Sequence, residues 1–200
     1  MTSYARPGGN VTGVMPYVAG LPAKLIELFR EVVPKAAKIG LLANLYDPKA
    51  GPQRDEMMQA ATRLGLAVVV PPLNGPEDLG AAIQALFSED VDGVVVLETT
   101  MLLSARDQIA KLVADRRIPA VYGYREHAEA GGLISYGVDL NWCGRRAATY
   151  VDKILTGSAP GDLRIEAPMR NDVVINLEAS KALGLTISAA LLASASEVIE

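Results

Sequence analysis

Short apolar runs alternate with amphipathic segments along most of this chain, and this alternation constrains the fold more than any other feature. Residues 38–43, 93–97 and 118–122 have the composition of buried strands. Residues 52–64 and 100–116 lie between these runs and carry apolar side chains at helical spacing. Strands that alternate with helices through short loops favour a parallel sheet with helices on both faces. The sequence therefore predicts an α/β fold with a doubly wound parallel sheet.

Further elements fit the same alternation. Helices are predicted over 21–33, 76–87 and 140–155, and strands over 66–70 and 132–136. Proline stands early and glycine just past the end in several of these helices, as helix boundaries favour. We therefore expect one α/β body to extend from the first of these helices to about residue 157.

The two ends of the chain have a different character. A short strand is predicted around 11–15, after a glycine-rich loop. Residues 158–172 are proline-rich, which indicates an extended segment. A strand over 173–176 and two helical pieces, 177–183 and 188–199, follow it. We expect this tail to leave the βα repeat and to cross back over the body or towards a neighbouring lobe.

The composition excludes several classes of function. The chain has 200 residues, half of them apolar, which is enough to build a core. Its net charge is −4 and it has no Lys/Arg cluster, so we expect no nucleic-acid partner. No apolar stretch is long enough to span a bilayer, so we expect no membrane insertion. A single cysteine excludes an internal disulfide and a multi-cysteine metal site.

Catalytic, metal and cofactor patterns are missing from the sequence. Cys143 and His127 form the one obvious pair for nucleophilic catalysis, but Cys143 falls at a predicted helix start, where an inert thiol is favoured. The glycine-rich residues 6–10 precede a strand and lack the known phosphate-binding patterns. No serine stands in a G-x-S-x-G elbow. We therefore expect no catalytic residues, no metal and no cofactor.

Polar and aromatic side chains follow the predicted strands at the points where the strands end. The crevice outside the carboxyl ends of parallel strands is where small ligands bind. Amide and hydroxyl groups there can pair with a carboxylate, a glutamate with an ammonium group, and tyrosine rings with an apolar body, which fits a zwitterionic or amphipathic small molecule. The candidate ligand-binding residues are Asn44, Tyr46, Glu98, Thr99, Thr100, Tyr124, Arg125, Glu126, Ser135, Tyr136 and Gly137.

Structural roles are the alternative at several of these positions and their neighbours. Tyr122 lies within an apolar run, which favours a place in the core over ligand contact. Arg125 and Glu126 can pair with each other or with solvent. Glu98 closes an all-apolar strand, and an acidic group in such a place needs a partner. Glu98 is therefore the strongest single candidate.

Four blocks of sequence carry a resemblance to a known family. They read ARPGGNVTGV, LIELFREVVPKAAKIGLLAN, REHAEAGGLISYGVDL and VVINLEASKALGLTI. In this order they resemble the bacterial ABC-transporter substrate-binding proteins of the tryptophan/tyrosine-associated type. The family's Y-x-x-R-E-x-A-x-x-G-G-L-x-S-Y-G block is matched from Tyr122 to Gly137. His127 stands where an aromatic or small apolar residue is common in the family.

The resemblance implies a type I periplasmic binding protein, in which two α/β lobes are joined by crossing strands and enclose a ligand. Residues 1–19 would then be a hinge or crossover segment, and residues 20–157 the ligand-binding lobe. Residues 158–200 would supply a crossing strand and the C-terminal helices. Members of the family are longer and begin with an export signal and a first lobe, so we also expect a truncated chain with most of that lobe missing.

The implied function is that of the solute-binding component of an ABC importer. Such a component reversibly binds a small organic solute, such as an aromatic or other amino acid, and acts with an ABC permease in the periplasm. The face left by a missing lobe is expected to form a homodimer. The sequence as written shows no signal peptide, so a cytoplasmic location is the alternative. Two other functions stay open: a cytoplasmic small-molecule sensor of the same fold, and an enzyme of flavodoxin-like or Rossmann-like architecture.

Overall fold

A computed structural model describes residues 3–16, 20–168 and 171–200 of the chain. The chain folds into two compact units. The smaller unit combines residues 1–19 with 138–171, and the larger combines 20–137 with 172–200. Residues 1, 2 and 17–19 of the predicted hinge, and residues 169 and 170 of the predicted extended segment, lie outside the described residues. The division into 1–19, 20–157 and 158–200 stays a prediction.

One sheet of seven strands organises the larger unit. The strands are β1 (Lys38–Leu42), β2 (Ala67–Val69), β3 (Gly93–Val96), β4 (Ala120–Tyr122), β5 (Ile134–Gly137), β6 (Asp172–Asn176) and β7 (Glu197–Ile199). Their order in the sheet is β2-β1-β3-β4-β5-β6-β7, and every pair of neighbours is parallel except β5 and β6. This mostly parallel sheet with its helices confirms the predicted α/β fold class.

The helices follow the strands in alternation. They are α1 (Leu21–Val32), α2 (Ala50–Arg63), α3 (Leu79–Ser88), α4 (Thr100–Ser104), α5 (Arg106–Asp115), α6 (Arg125–Glu129), α7 (Leu140–Leu155), α8 (Leu177–Leu183) and α9 (Ala189–Ser194). Of these, α7 belongs to the smaller unit. None of the helices in the described ranges is both long enough and apolar enough to cross a bilayer.

Two glycines of the sheet show that helices cover both of its faces. A Cβ on Gly40 of β1 would meet Leu86 of α3 at 2.8 Å, and a Cβ on Gly93 of β3 would collide with the Phe29 ring of α1. Gly93 is in register with Ile39, the residue before Gly40, and successive residues of a strand point to opposite faces. Helices α1 and α3 therefore pack on opposite faces, and the central strands between them are fully buried.

Several predicted elements were wrong in type or extent. The strand predicted around 11–15 forms a single isolated bridge, between Val14 and Glu166. The helix predicted over 100–116 is divided at Ala105 into α4 and α5. Residues 125–129, with no predicted element, form α6. These errors share a physical cause, because short elements depend on tertiary partners more than on local propensity.

The end of the chain also differs from its prediction. The helix predicted over 188–199 ends at Ser194, and residues 197–199 form the edge strand β7. This strand pairs in parallel with β6, which itself lies beside β5. The tail therefore adds two strands, β6 and β7, to the sheet that the βα repeat forms. Strand β7 pairs with the free edge of β6, and its β-branched residues Val198 and Ile199 favour a strand.

Glu166 holds the smaller unit together. Its backbone N–H donates to the Gly13 carbonyl at 3.1 Å, and its carbonyl accepts from the Met15 N–H at 2.8 Å. Its carboxylate accepts two bonds of 2.6 Å from Arg146 of α7 and one of 2.8 Å from Arg164. The hydrogen bonds from Arg146, followed by those from Arg164, lower the pKa of Glu166 to about 2, so the carboxylate stays charged.

Arg117 allows a direct test of backbone strain at a helix end. It follows α5 in the left-handed region, with φ of 54°, and its N–H donates to the Ala114 carbonyl at 2.9 Å. Glycine is favoured at such a position, so Arg117→Gly should raise the free energy of unfolding by about 0.5–1 kcal/mol in urea titrations. Arg117→Ala removes the same side chain but keeps the strain, and an equal gain in that variant would contradict the explanation.

Candidate functional site

The parallel strands bring the predicted site residues to one edge of the larger unit. Register places Leu42, Val96, Tyr122 and Ser135 side by side near the carboxyl ends of β1, β3, β4 and β5. The chain after each strand therefore emerges along the same edge, which is the ligand-binding edge of open parallel sheets. All eleven predicted residues lie at this edge or in the loops and first helical turn just beyond it. We call it the carboxyl edge; its role in binding stays a prediction.

Glu98 lies directly after β3 and is held there by α2. Its N–H donates to Oε1 of Gln53 at 3.1 Å, and its carbonyl accepts from Nε2 of Gln53 at the same distance. Both residues are buried, and Glu98 is only 2% exposed. Oε1 of the Glu98 carboxyl has no hydrogen-bond partner among the described residues. The backbone of Glu98 is thus fixed, while Oε1 of its carboxyl group has no donor among the described residues.

Two glycines make room for the Glu98 side chain. A Cβ on Gly123, after β4, would collide with Cγ of Glu98. A Cβ on Gly137, at the end of β5, would collide with the Gly123 carbonyl and lie 2.8 Å from Oε1 of Glu98. The ends of β3, β4 and β5 therefore converge on this carboxyl group. Glycine is required at both positions because the neighbouring chain leaves no space for a side chain.

Burial governs the charge of Glu98. Removal from water raises the pKa of its carboxyl group to about 8, and the positive charge of Lys49 offsets this only in part. Lys49 precedes α2 and is itself exposed, so solvent screens its charge. Glu98 is therefore mostly a neutral carboxylic acid at pH 7.

Asn44 and Thr99 use their side chains to shape the loops of the edge. Oδ1 of Asn44 accepts from the Tyr46 N–H at 3.0 Å, and Oγ1 of Thr99 accepts from the Leu102 N–H at 3.5 Å at the start of α4. Both residues are buried. The side chain of Tyr46 is 76% exposed, and Thr100 is exposed as well. Asn44 and Thr99 thus position the loops, whereas Tyr46 and Thr100 face solvent.

Arg125 is engaged in ion pairs, though not with its sequence neighbour. Its Nε lies 2.9 Å from Oε1 of Glu129, one turn along α6, and its Nη2 pairs with Glu197 of β7. These two carboxylates raise the pKa of Arg125 further. Arg125 was expected to pair with Glu126 or with solvent as an alternative to ligand binding. Its ion pairs instead link α6 to β7. Oε2 of Glu126 is buried and has no hydrogen-bond partner within the described residues.

The remaining predicted residues differ in their burial. Tyr124 is buried at the start of α6, and Tyr122, weighed as a core residue, is buried as well. Ser135 is fully buried in β5, and its Oγ has no hydrogen-bond partner among the described residues. Tyr136 is half-buried next to it. Of the tyrosines at this edge, Tyr46 is therefore the one most open to solvent.

His127 is a buried member of the edge that sequence reasoning did not include. Its ring stacks on Tyr122 at 4.9 Å between centroids and on Tyr124 at 6.5 Å. Nε2 lies 3.2 Å from the Leu102 carbonyl, and Nδ1 has no partner among the described residues. Burial lowers the pKa of His127 to about 4, so the ring is neutral at pH 7. In the sequence, the close spacing of Tyr122, Tyr124 and His127 was the one sign of this arrangement. That spacing predicts stacking only when residues 125–129 are known to form α6.

Buried polar atoms without partners concentrate at this edge. In the described part of the larger unit these atoms are Oε1 of Glu98, Oε2 of Glu126, Nδ1 of His127 and Oγ of Ser135. Nearly all buried polar groups of native proteins are hydrogen-bonded, so each exception needs a water, an ion or a ligand. The edge therefore offers both donors and acceptors to a small polar molecule.

The structure gives metal chemistry no place within the described ranges. No three His, Cys, Asp or Glu side chains in residues 3–16, 20–168 and 171–200 are grouped so as to hold a metal ion.

Cys143 lies half-buried in the first turn of α7, where burial and the charge of Asp139 raise the pKa of its thiol. A raised pKa disfavours the thiolate, as expected for an inert thiol.

A mostly parallel α/β sheet with polar side chains collected at its carboxyl edge is typical of ligand-binding proteins. The chain belongs to the family described as ABC transporter substrate binding protein, which matches residues 1–199. This confirms the family resemblance seen in the sequence. Members of the family bind solutes, so the prediction that the chain is not an enzyme is confirmed too.

A curated relative is the tyrosine-binding protein of Clostridioides difficile strain R20291. It is 26% identical over 183 residues, which cover 92% of this chain and 52% of the relative. The chain thus spans about half the length of this curated relative.

Two solved structures show the same fold. One is a conserved domain protein from Vibrio cholerae, with 28% identity and a TM-score of 0.87 over 99% of this chain and 65% of that one. The other is an ABC domain from Streptococcus pneumoniae in complex with L-Trp, with 23% identity and a TM-score of 0.86 over 99% of this chain and 68% of that one. Both likenesses agree with the mostly parallel sheet described above.

Proposed function

We propose that this chain binds an aromatic amino acid at the carboxyl edge of its larger unit, as the solute-binding component of an ABC importer. The observation that carries the proposal is the group of buried polar atoms at that edge without partners among the described residues, which includes Oε1 of Glu98. Family membership supports a solute, and the tyrosine-binding relative supports an aromatic amino acid. Both favour this function over a sensor or an enzyme of similar architecture.

The edge has a group for each part of such a ligand. The carboxyl of Glu98 can bind the ammonium group, and no described side chain competes for its Oε1. Oγ of Ser135 can donate to the ligand carboxylate. The exposed ring of Tyr46 can pack against the ligand ring. A few polar groups with an aromatic wall are what small-molecule sites in proteins commonly provide.

The roles beyond binding follow from the family. An ABC permease as partner and a periplasmic location are part of the same proposal. A homodimer is proposed as well, and static light scattering at increasing protein concentration tests it separately. A mass that stays monomeric at high concentration would contradict the dimer and leave the binding proposal unchanged.

Ligand-induced stabilisation tests the binding proposal. At a free concentration of about 100 times Kd, L-tyrosine or L-tryptophan should raise the free energy of unfolding by about 2.7 kcal/mol, because only the folded chain binds it. Urea titrations with and without ligand measure this increase. The D-enantiomers are the matched controls, since they have the same composition but place the ammonium group differently.

The same titration includes branched-chain amino acids to define the ligand class. If the branched-chain amino acids stabilise the chain and the aromatic amino acids do not, the proposed ligand class changes to branched-chain amino acids and the proposed site is kept. If none of the amino acids shifts the urea midpoint, the proposed function is wrong.

A further inference from the structure

We propose that the ligand's ammonium group replaces a proton on Glu98, so that each binding event releases a proton and the site selects ligands that carry an ammonium group over ligands that lack one. The inference rests on the proposed function, and it concerns the charge state of the site before and after binding. It follows from the enclosure of the Glu98 side chain, from the charges around it, and from the charge of the ligand.

The enclosure of Glu98 favours the protonated acid in the ligand-free chain. Gly123 and Gly137 lie against its side chain, and Gln53 of α2 uses its amide group on the Glu98 backbone. Oε1 is buried without a donor from any described residue. A carboxylate in such a place loses its hydration and gains no compensating hydrogen bond at Oε1, so it keeps its proton.

The elements packed against Glu98 supply almost no compensating charge. From α2 the contacting side chain is the neutral Gln53, and from the ends of β4 and β5 the neighbours are glycines. Lys49, before α2, is the one cation among the described residues whose charge acts on Glu98, and it is exposed. A ligand ammonium group would supply the positive charge that this carboxyl group lacks.

Binding should then change the protonation of Glu98. An ammonium group within hydrogen-bond distance of a carboxylate favours the ionised form, so the acid proton passes to the buffer as the ion pair forms. The charges balance, because one proton leaves as one cation arrives. A ligand without a cationic group meets a neutral acid instead and induces no proton release. The site therefore distinguishes amino acids from the corresponding carboxylic acids.

The coupling predicts how affinity varies with pH. While free Glu98 is protonated, each unit of pH should lower Kd for L-tyrosine about tenfold, and the slope should flatten near pH 8. His127 does not contribute to the pH dependence of Kd in this range, because its pKa of about 4 keeps the ring neutral in the ligand-free and the ligand-bound chain. Between pH 6 and 8, proton release at this edge therefore reports on Glu98.

Calorimetry measures the released proton directly. L-tyrosine is titrated into the chain at pH 6.5 in buffers of different ionisation enthalpy, and the dependence of the observed heat on that enthalpy gives the proton count. We expect about one proton released per ligand at pH 6.5 and about one quarter of a proton at pH 8.5. The acid that lacks the amino group, 3-(4-hydroxyphenyl)propionate, should bind more weakly and release none.

Two variants locate the effect. Glu98→Gln should abolish both the proton release and the pH dependence of Kd. Glu178→Gln removes an exposed carboxylate from α8 and should keep both. If Glu98→Gln fails to fold, the buffer series and the pH slope of the unaltered chain decide the question.

The outcomes separate this inference from the proposed function. Binding of L-tyrosine without proton release at pH 6.5, or unchanged release in Glu98→Gln, overturns the proton exchange and leaves the proposed function in place. Absence of binding of L-tyrosine, L-tryptophan and the branched-chain amino acids at every pH overturns both.

Discussion

Glu98→Gln should stabilise the ligand-free chain at neutral pH, and the gain should grow as the pH rises. We expect the free energy of unfolding of the variant, relative to the unaltered chain, to increase by about 3 kcal/mol between pH 4.5 and pH 7. Most charge-removing substitutions at a protein surface change stability far less. The large effect arises because Glu98 is buried and its Oε1 has no partner in the described part of the chain.

The sign follows from the two protonation states. Burial raises the pKa of Glu98 from 4.5 to about 8 in the folded chain, so above pH 4.5 the unfolded chain loses a proton that the folded chain keeps. The stability linked to Glu98 is therefore fully present below pH 4.5 and is lost as the pH rises through 8, by about 1.4 kcal/mol per unit. Glutamine has nearly the same shape and does not titrate, so the variant avoids this loss.

Urea unfolding at several pH values from 4.5 to 8.5 measures the effect. The difference between Glu98→Gln and the unaltered chain is the quantity of interest, because other titrating groups cancel in it. Glu178→Gln, an exposed control on α8, should run parallel to the unaltered chain. A constant offset between Glu98→Gln and the unaltered chain across this range would show that Glu98 ionises in the folded state, and would contradict the prediction.

Such a variant would show why an acid is kept at an unfavourable position. Glu98→Gln is expected to gain stability and to lose affinity for L-tyrosine. A strained or destabilised group at a binding site is a common cost of function. Simultaneous loss of stability and affinity would instead indicate that Glu98 supports the fold.

The sequence was sufficient for the sheet but not for the short elements at its end. Apolar runs and helical spacing predicted β1 to β6 within a few residues, because the central strands β1, β3, β4 and β5 are mostly buried and have the apolar composition of such strands. The edge strand β7 was missed, since its three residues become a strand only by pairing with β6. Helix α6 has five residues and is stabilised by β4, β5 and β6 around it. Neither element could be found from local pattern alone.

The candidate site was predictable where chemistry follows chain position. Glu98 stood out because an acid that closes an apolar strand needs a partner, and its Oε1 is indeed buried with no partner in the ranges that the structure describes. The role of Arg125 was not predictable, because its second partner, Glu197, lies 72 positions further along the chain. His127 was missed for a similar reason, as its stacking on Tyr122 requires the turn from β4 into α6.

His127→Phe should make the chain more resistant to acid. We expect the free energy of unfolding of the unaltered chain, relative to the variant, to fall by about 3 kcal/mol between pH 7 and pH 4. Burial lowers the pKa of His127 from 6.5 to about 4. Between these two pH values the unfolded chain binds a proton on His127, whereas the folded chain does not. The stability linked to His127 is present above pH 6.5 and is lost as the pH falls through 4.

Phenylalanine keeps the aromatic stack on Tyr122 and Tyr124 and removes the titration together with the polar contacts of the ring, such as that of Nε2 with Leu102. That lost contact costs the same at every pH, so it shifts the stability curve of the variant without changing its slope. Urea unfolding from pH 4 to pH 7 separates the two effects. A difference that does not vary with pH would mean that the folded chain accepts the proton on His127, and would contradict its burial as a neutral ring.

The contributions of His127 and Glu98 to the free energy of unfolding change with pH in opposite directions, and both change between pH 4.5 and pH 6.5. In this range each group changes the free energy of unfolding by about 1.4 kcal/mol per pH unit, so their contributions cancel in the unaltered chain. Relative to the unaltered chain, Glu98→Gln should therefore gain stability with rising pH, and His127→Phe should lose it. The double variant should run parallel to the unaltered chain from pH 4.5 to pH 6.5 and differ from it above and below. Cancellation in that window would show that the two groups titrate independently, whereas a double variant that departs from the sum of the single ones would show that they interact.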